Sequence, residues 1–362
     1  MASRVPPAWV IRPLLAMRNG VAKVHRGMVP PEVAVIEGTL GLVEAKSLAV
    51  VAELGVADEL ADGPRTAADV AERVGADPDA LGRVLRYLVG RGFFRTTRDG
   101  RYRNNKRSAL LRDAPGSMRA WARFYGSRWH LRIWNELEHS VRTGGNAAQA
   151  ALGHPFWEYL TDVDIDAGAL FDAAMASTSS VQVDLVATRY PFRGRVCDVG
   201  GGTGTVLAAI LREHPDATGV LHDLPSVVAR SAPVLEAAGV ADRVEVVGGS
   251  FFDGVPAGCD AYVMQAIVHD WDDDSCVTFL AHCRAAMAPD GRVLVVEALV
   301  PEHDGDHFVK AVDLEMLVDT GAGRERTRQQ FDALFARAGL EVEKKIPIAV
   351  SNIFVLRPQL AP

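Results

Sequence analysis

Between Gly194 and Asp223 the chain reads GRVCDVGGGTGTVLAAILREHPDATGVLHD, and no other stretch restricts the fold as strongly. Arg195 to Val199 has the apolar run of a short buried strand. Gly200, Gly201, Gly202 and Gly204 then permit a tight turn and a close approach of backbone to a ligand, because no Cβ intervenes. Thr203 to Arg212 predicts a helix, and Ala217 to Leu221 a second strand ending near Asp223. Strand, glycine turn, helix and strand, with an acid at the second strand's carboxyl end, is the layout of a nucleotide-binding crevice.

The glycine spacing and the neighbouring acids narrow the choice of nucleotide. A dinucleotide fingerprint needs G-x-G-x-x-G with a pyrophosphate at the helix N-terminus. Counting from Gly200 the spacing here is G-x-G-x-G, and Thr205 occupies the place of the third glycine. Asp198, two residues before Gly200, is expected to point into the same crevice, where a carboxylate repels phosphate and attracts an ammonium group. S-adenosylmethionine has an α-ammonium, no phosphate, and a ribose diol that could donate to Asp223. The residue types favour that cofactor over NAD.

The 362 residues suffice for two domains. A net charge of −7 supplies no basic field for nucleic acid or an anionic membrane. Cys197, Cys259, Cys276 and Cys283 form no C-x-x-C pair and sit in apolar contexts, so they read as reduced thiols. With no membrane-length apolar segment or secretory pattern, a soluble cytoplasmic protein is expected.

Toward the N-terminus, residues 1 to about 30 carry Pro6, Pro7, Pro13 and Pro30 and predict an arm that is frayed or packed on a partner. Gly38 to Leu60 is apolar on more than one helical face, which predicts burial inside a dimer interface. Thr66 and Asp69 form a capping-box pattern opening a helix that Gly75 closes. Asp77 and Pro78 open a second helix running to Gly92. Asp99-Gly100 then signals a two-residue hairpin turn within Phe93 to Arg103. Helix, turn, helix and hairpin predict a winged helix, and its arginines, including Arg83, Arg86, Arg95 and Arg98, would suit DNA. Aromatic residues crowd Met118 to Trp134, and Gly144 to Ala151 reads as a loop.

Beyond Asp223, the pattern predicts a helix over Pro225 to Ala238 and strands over Arg243 to Gly248, Cys259 to Met264, Gly291 to Glu297 and Ile348 to Leu356. Their alternation with helices implies an α/β fold with a mostly parallel sheet covered on both faces. His269-Asp270-Trp271 follows the fourth strand at the sheet's carboxyl edge. Histidine suits a general base near neutral pH, although a helix cap or packing residue would read the same way. Asp272, Asp273 and Asp274 are explained by the dipole and cap of the helix reaching Met287, and no metal is expected.

Taken together, the glycine turn with Asp198 and Asp223, the later GSFF (Gly249, Ser250, Phe251, Phe252), VHDWDDD and GRERT segments resemble the plant-type and actinobacterial small-molecule O-methyltransferases. The resemblance runs from about residue 32 onward. It implies a Rossmann-like methyltransferase domain with a seven-stranded sheet and a helical N-terminal winged-helix domain that serves dimerisation rather than DNA. The implied division is residues 1–115 for dimerisation, 116–185 for a helical linker lining the acceptor pocket, and 186–362 for the cofactor and catalysis. His269 matches the family's base, with Asp270 holding a neighbouring group and Glu297 and Glu325 flanking the imidazole. The matching cofactor positions are Asp198, Gly200, Gly202, Asp223, Leu224, Gly249, Ser250, Phe251, Phe252, Gln265 and Trp271. Ser250 stands where the family often has an acid for the adenine amino group, and Gln265 where plant members have lysine. Phe171, Met175, Asp313 and Glu315 fall on the acceptor wall. Glu315 replaces an apolar residue of many relatives and would favour a basic or polyhydroxylated acceptor.

The implied reaction is in-line methyl transfer to a hydroxyl of a small aromatic molecule, most simply a phenol, in a homodimer without nucleic acid or membrane partners. Two other readings stand beside it. One is a relative that has drifted to hydroxylation or decarboxylation; the other is a winged-helix regulator with a ligand-sensing domain, which leaves His269 and the two glutamates unexplained.

Overall fold

The computed structural model describes residues 8–303 and 305–359; Pro6 and Pro7 of the expected arm lie outside them. The described residues fall into two compact units. One draws on Ala22–Asn135 and Asp162–Ser180, the other on the described residues before 22, on Glu136–Thr161 and on those from 181 onward.

Ala8–Gly27, in the stretch that the sequence predicts to be frayed or packed on a partner, forms a helix despite Pro13. The apolar stretch expected as one helix over Gly38 to Leu60 is three: Pro31–Thr39, Gly41–Glu53 and Val56–Glu59. Gly55, at φ +69°, breaks the last two apart. Only Ala49, Val51 and Ala52 of the middle helix are buried, and Val33, Val35, Ile36, Leu40, Leu42 and Val43 are exposed. The capping box at Thr66 and Asp69 is formed in both directions, and Gly75 closes the helix Ala67–Val74 in the left-handed region. Asp77 then accepts from the Ala80 amide at the start of Pro78–Gly90. Val70, Leu81, Leu85, Leu88 and Phe94 pack into the small core between these helices and a hairpin. The hairpin pairs β1 (Phe94–Thr96) with β2 (Tyr102–Asn104). Its turn is wider than predicted. The Thr97 amide still donates to Arg101 O, leaving a three-residue loop Arg98–Asp99–Gly100 with Gly100 at φ +78°, the geometry a three-residue hairpin requires.

The larger unit is built on β3 (Arg195–Val199), β4 (Thr218–Asp223), β5 (Val244–Gly248), β6 (Ala261–Gln265), β7 (Arg292–Glu297), β8 (Leu340–Ile348) and β9 (Ser351–Pro358). They form one seven-stranded sheet in the order β5-β4-β3-β6-β7-β9-β8, with β3 to β7 parallel and β8 and β9 antiparallel. β3, β6 and β7 are almost wholly buried, as strands covered on both faces must be. One face packs on Thr205–Glu213 through Leu207, Ile210 and Leu211; the other packs on Asp273–Ala286 and Arg328–Arg337 through Phe279, Leu280, Phe331 and Phe335.

Three local expectations fail here for identifiable reasons. Gly144 to Ala151 is not all loop: Asn146 accepts from the Gln149 amide and opens the helix Ala147–Leu152. Pro225 to Ala238 breaks into Pro225–Val228 and Ala232–Ala237, because Pro233 has no amide to continue the earlier helix. Ile348 to Leu356 is no single strand: Ile348 ends β8, the chain turns at Ala349 and Val350, and β9 returns beside β7. β8 itself, LEVEKKIPI, is polar because it is an edge, and Lys344 and Lys345 blunt it. No helix among the described residues is long and apolar enough to cross a membrane.

Candidate active site

The carboxyl ends of β3, β4, β6 and β7 carry the residues singled out from sequence, as open α/β sheets dictate. After β3 the glycine turn adopts left-handed backbone at Gly200, Gly202 and Gly204. Gly201 is needed for another reason: a Cβ there would stand 2.7 Å from the Asp198 carboxyl carbon and 2.6 Å from Leu221. Asp198 does not open into the crevice as expected. It lies 1% exposed beneath the turn, and its Oδ2 accepts from the Leu207 amide at 3.2 Å, at the start of the next helix. Burial, reinforced by Asp223 and opposed by the Leu207 bond, pushes its carboxyl up to about 7. Asp223 closes the turn from β4, accepting from the Gly202 amide at 2.8 Å and the Leu224 amide at 2.7 Å.

The crevice residues fit an S-adenosyl cofactor on two observations. Gly202 faces open space, with nothing within 4 Å of where its Cβ would be. At the end of β6, Gln265 Oε1 is buried without a hydrogen-bond partner. Phe251 and Phe252 follow β5 and form an aromatic wall with Trp271, which meets Phe252 edge-on at 4.7 Å between centroids. The Ser250 hydroxyl accepts from the Phe252 amide at 3.2 Å. Gly249 and Ser250 also line a cavity of about 530 Å³ with His222, Val247 and Asp253; its lining includes neither His269 nor the two glutamates.

Beyond β6 the chain reverses sharply. Ala266 takes φ +54°, outside the usual range of an L-residue, and its amide donates to Val296 O on β7. The short turn Val268–Asp270 follows and presents His269, whose side chain is 15% exposed. Glu297, at the end of β7, turns one oxygen to the amides of Ile267, Val268 and His269, at 3.1, 2.8 and 3.3 Å. Its other oxygen is 3.5 Å from His269 Nδ1. Glu325 Oε1 is closer to that nitrogen, at 3.0 Å, and Asp270 Oδ1 lies 3.5 Å from Nε2. Glu325 is itself placed by Asp313, which accepts from its amide at 2.8 Å.

Burial would lower the imidazole's affinity for a proton, but the charges of Glu297, Asp270 and Glu325 outweigh it, and His269 titrates well above its ordinary range. Asp270 and Glu297 move up too, to about 6 and about 7, mainly from burial and against the pull of His269. The arrangement can hold a proton at Nδ1 and take one at Nε2, which is what a general base requires.

Asp272 caps the helix Asp273–Ala286 through the Ser275 amide, as the three acids predicted. Thr327 caps Arg328–Arg337 with a complete capping box. Asp313 and Glu315 both lie on the helix Val309–Asp319, where Glu315 is 7% exposed. Phe171 and Met175 lie on Ile165–Arg189, in the part of that helix belonging to the smaller unit, where Phe171 meets Phe124 edge-on at 5.6 Å. Sequence reasoning gave no role to two features. Arg326, within GRERT, is fully buried against the base turn, and Ala266 is an L-residue with a glycine's backbone. The ion pair of Arg326 with Asp273, the first residue of the capped helix, leaves no sequence signal, since the two are 53 residues apart.

An O-methyltransferase domain model matches residues 134–341, and an O-methyltransferase dimerisation domain model matches 36–113. The mitomycin biosynthesis 6-O-methyltransferase of Streptomyces lavendulae is 39% identical over 320 residues, 87% of this chain and 91% of that protein. The 8-amino-8-demethylriboflavin N,N-dimethyltransferase of Streptomyces davaonensis is 38% identical over 82% of this chain and 86% of its own. Among solved structures, the neocarzinostatin-biosynthesis O-methyltransferase NcsB1, bound to S-adenosylmethionine and 2-hydroxy-5-methyl naphthoic acid, superposes with a TM-score of 0.76 at 36% identity, covering 87% of this chain and 96% of that one. With a seven-stranded Rossmann-like sheet, a glycine turn shaped for an adenosyl group and relatives this similar along most of its length, the chain belongs to the S-adenosylmethionine-dependent O-methyltransferases.

Proposed function

We propose that this enzyme methylates a phenolic hydroxyl of a small aromatic or polyketide-like secondary metabolite, with His269 as general base. The observation that carries the reading is the imidazole at the sheet's carboxyl edge, with Glu325 3.0 Å from Nδ1, which leaves Nε2, 3.5 Å from Asp270, as the nitrogen to take the acceptor's proton. Bound S-adenosylmethionine supplies an already activated sulfonium methyl. The residues that would hold it are Asp198, Gly200, Gly202, Asp223, Leu224, Gly249, Ser250, Phe251, Phe252, Gln265 and Trp271. His269 removes the hydroxyl proton, Glu325 keeps the proton on Nδ1, and Glu297 keeps the turn in register. Positioning of the two reactants supplies much of the acceleration. Phe171, Met175, Asp313 and Glu315 are assigned to the acceptor wall, and the buried carboxylate of Glu315 favours an acceptor with a basic group or several hydroxyls.

Residues 1–115 are assigned to pairing of two copies through a winged-helix module, 116–185 to the acceptor-lining linker and 186–362 to catalysis, in a cytoplasmic homodimer. The apolar residues exposed on Pro31–Thr39 and Gly41–Glu53 support a covering partner. NcsB1's naphthoic acid ligand supports an aromatic acceptor.

The test is calorimetric titration with S-adenosylmethionine and S-adenosylhomocysteine, then a screen of phenols, hydroxynaphthoates and aromatic amines. Methyl transfer to a phenol that falls about 10²–10⁴-fold in His269→Ala supports the assignment. Because the imidazole holds its proton well above the ordinary range, the rate should rise with pH through a midpoint above that of a free histidine. Undiminished transfer in His269→Ala would sink the base assignment; methylation of amines alone would move the acceptor class to nitrogen.

A further inference from the structure

We propose that Arg326 is a positioning residue for methyl transfer, its guanidinium fixing the base turn so that His269 and Trp271 are presented as one unit. The proposal rests on His269 being the base.

Arg326 is 1% exposed, the largest fully buried side chain among the described residues. Its Nη1 donates to Val268 O at 2.7 Å and its Nη2 to Trp271 O at 2.8 Å, so one planar fork spans the residues on either side of His269 and Asp270. Nε and Nη2 also donate to Asp273 Oδ1, at 3.0 and 2.7 Å, tying the turn to the start of the following helix. The next peptide inward completes the grip, for the Arg324 amide donates to His269 O at 2.8 Å. Glu297 holds the same turn from the opposite side through the amides of Ile267, Val268 and His269.

The turn is therefore held on its carbonyls by a cation and on its amides by an anion, and charge-assisted hydrogen bonds are the stronger kind. A buried ion pair is weak grounds for stability, since apolar residues of similar volume often serve as well. Here the fork's two carbonyl partners belong to the residue before the base and to the aromatic residue at the cofactor wall. Glu325, which faces His269 Nδ1, is the residue immediately before Arg326, and the Val300 amide pins that segment by donating to Arg326 O. Base, base partner and cofactor wall thus share one hydrogen-bonded frame with the guanidinium at its centre. Lysine, a point charge without the planar fork, cannot span both carbonyls and the carboxylate.

The experiment uses the full chain saturated with S-adenosylhomocysteine and labelled at histidine carbons. In Arg326→Lys the His269 titration midpoint should fall by about one pH unit or more, because its carboxylate partners lose register. S-adenosylhomocysteine should bind about fivefold or more weakly through the released Trp271, and turnover of a phenol from the screen should fall about tenfold in kcat with little change in acceptor KM. Asp273→Asn, at a carboxylate that is 42% exposed, should shift the same readouts in the same direction by less. A wild-type His269 titration and wild-type S-adenosylhomocysteine affinity in folded Arg326→Lys would overturn the proposal. Should that variant not fold, the same result in Asp273→Asn would overturn it. His269→Ala separates the two ideas: undiminished methyl transfer there removes the base assignment and this proposal with it, whereas a silent Arg326→Lys removes this proposal alone.

Discussion

Asp198→Asn should stabilise the cofactor-free enzyme at alkaline pH while weakening its hold on S-adenosylmethionine. Asp198 is 1% exposed and its carboxyl is raised by burial from 3.8 to about 7. Between those values the folded protein keeps a proton that the unfolded chain has released, so stability falls as pH rises, and the loss is complete above about pH 7. Three pH units at 1.36 kcal/mol each is a cost of about 4 kcal/mol. Asparagine does not ionise, and its oxygen can still accept from the Leu207 amide. Its new amide group, buried without a partner, costs about 1–3 kcal/mol, but that cost does not depend on pH. The net gain at pH 8 is therefore about 2 kcal/mol, and the difference between variant and wild type should grow by about 2–3 kcal/mol from pH 5 to pH 8. Urea unfolding of both proteins across that range measures it, and calorimetry gives the cofactor affinity. A difference that is flat with pH, or that favours wild type more strongly at pH 8, would refute the argument that a carboxylate is buried under the glycine turn with only the Leu207 amide to offset its charge.

Glu297→Ala strips three amides of their acceptor and should destabilise by about 3–5 kcal/mol in urea unfolding, with Glu297→Gln, which keeps an oxygen there, recovering at least half. Gly323→Ala places a Cβ 2.5 Å from His269 O and 2.8 Å from the Asp270 carbonyl carbon, both backbone atoms that cannot step aside. Its methyl transfer should fall about a hundredfold while circular dichroism stays native, and full activity would contradict the close approach. Ala266→Gly should raise stability by about 1 kcal/mol by relieving the left-handed backbone at φ +54°, read from the urea midpoint.

Much of the catalytic half was legible because its signals are local. The glycine turn and the aspartate cap of the helix after Trp271 each lie within a few residues of what they act on, and each formed as read. His269, Glu297 and Glu325 come together within hydrogen-bonding range although 28 and 56 residues apart, and only the family pattern announced that meeting. What remained hidden was where a carboxylate points. Asp198 read as a group open to the crevice, whereas the chain tucks it beneath Gly201 and spends one oxygen on a helix start. Arg326 was equally silent, since its partners are backbone carbonyls that any sequence supplies. In the N-terminal half, apolar faces were visible but not the breaks at Leu40 and Gly55, where three short helices replace one long one. The edge strand β8 escaped because its solvent-facing residues erase the apolar run by which the inner strands are recognised.

The position of β9 bears on how the enzyme is made. It is the last strand of the sheet in sequence, yet it sits between β7 and β8, with Ile353, Phe354 and Leu356 buried. While the chain is being translated, β3 to β7 can assemble as they emerge, but the free edge of β7, with Val293 to Val296 all apolar, stays bare until Ser351–Pro358 has followed. β8 reaches the nascent sheet first and must not take that edge itself. Its run of Glu341, Glu343, Lys344 and Lys345 suits it poorly to a buried seat, so the vacancy is kept for the strand that belongs there.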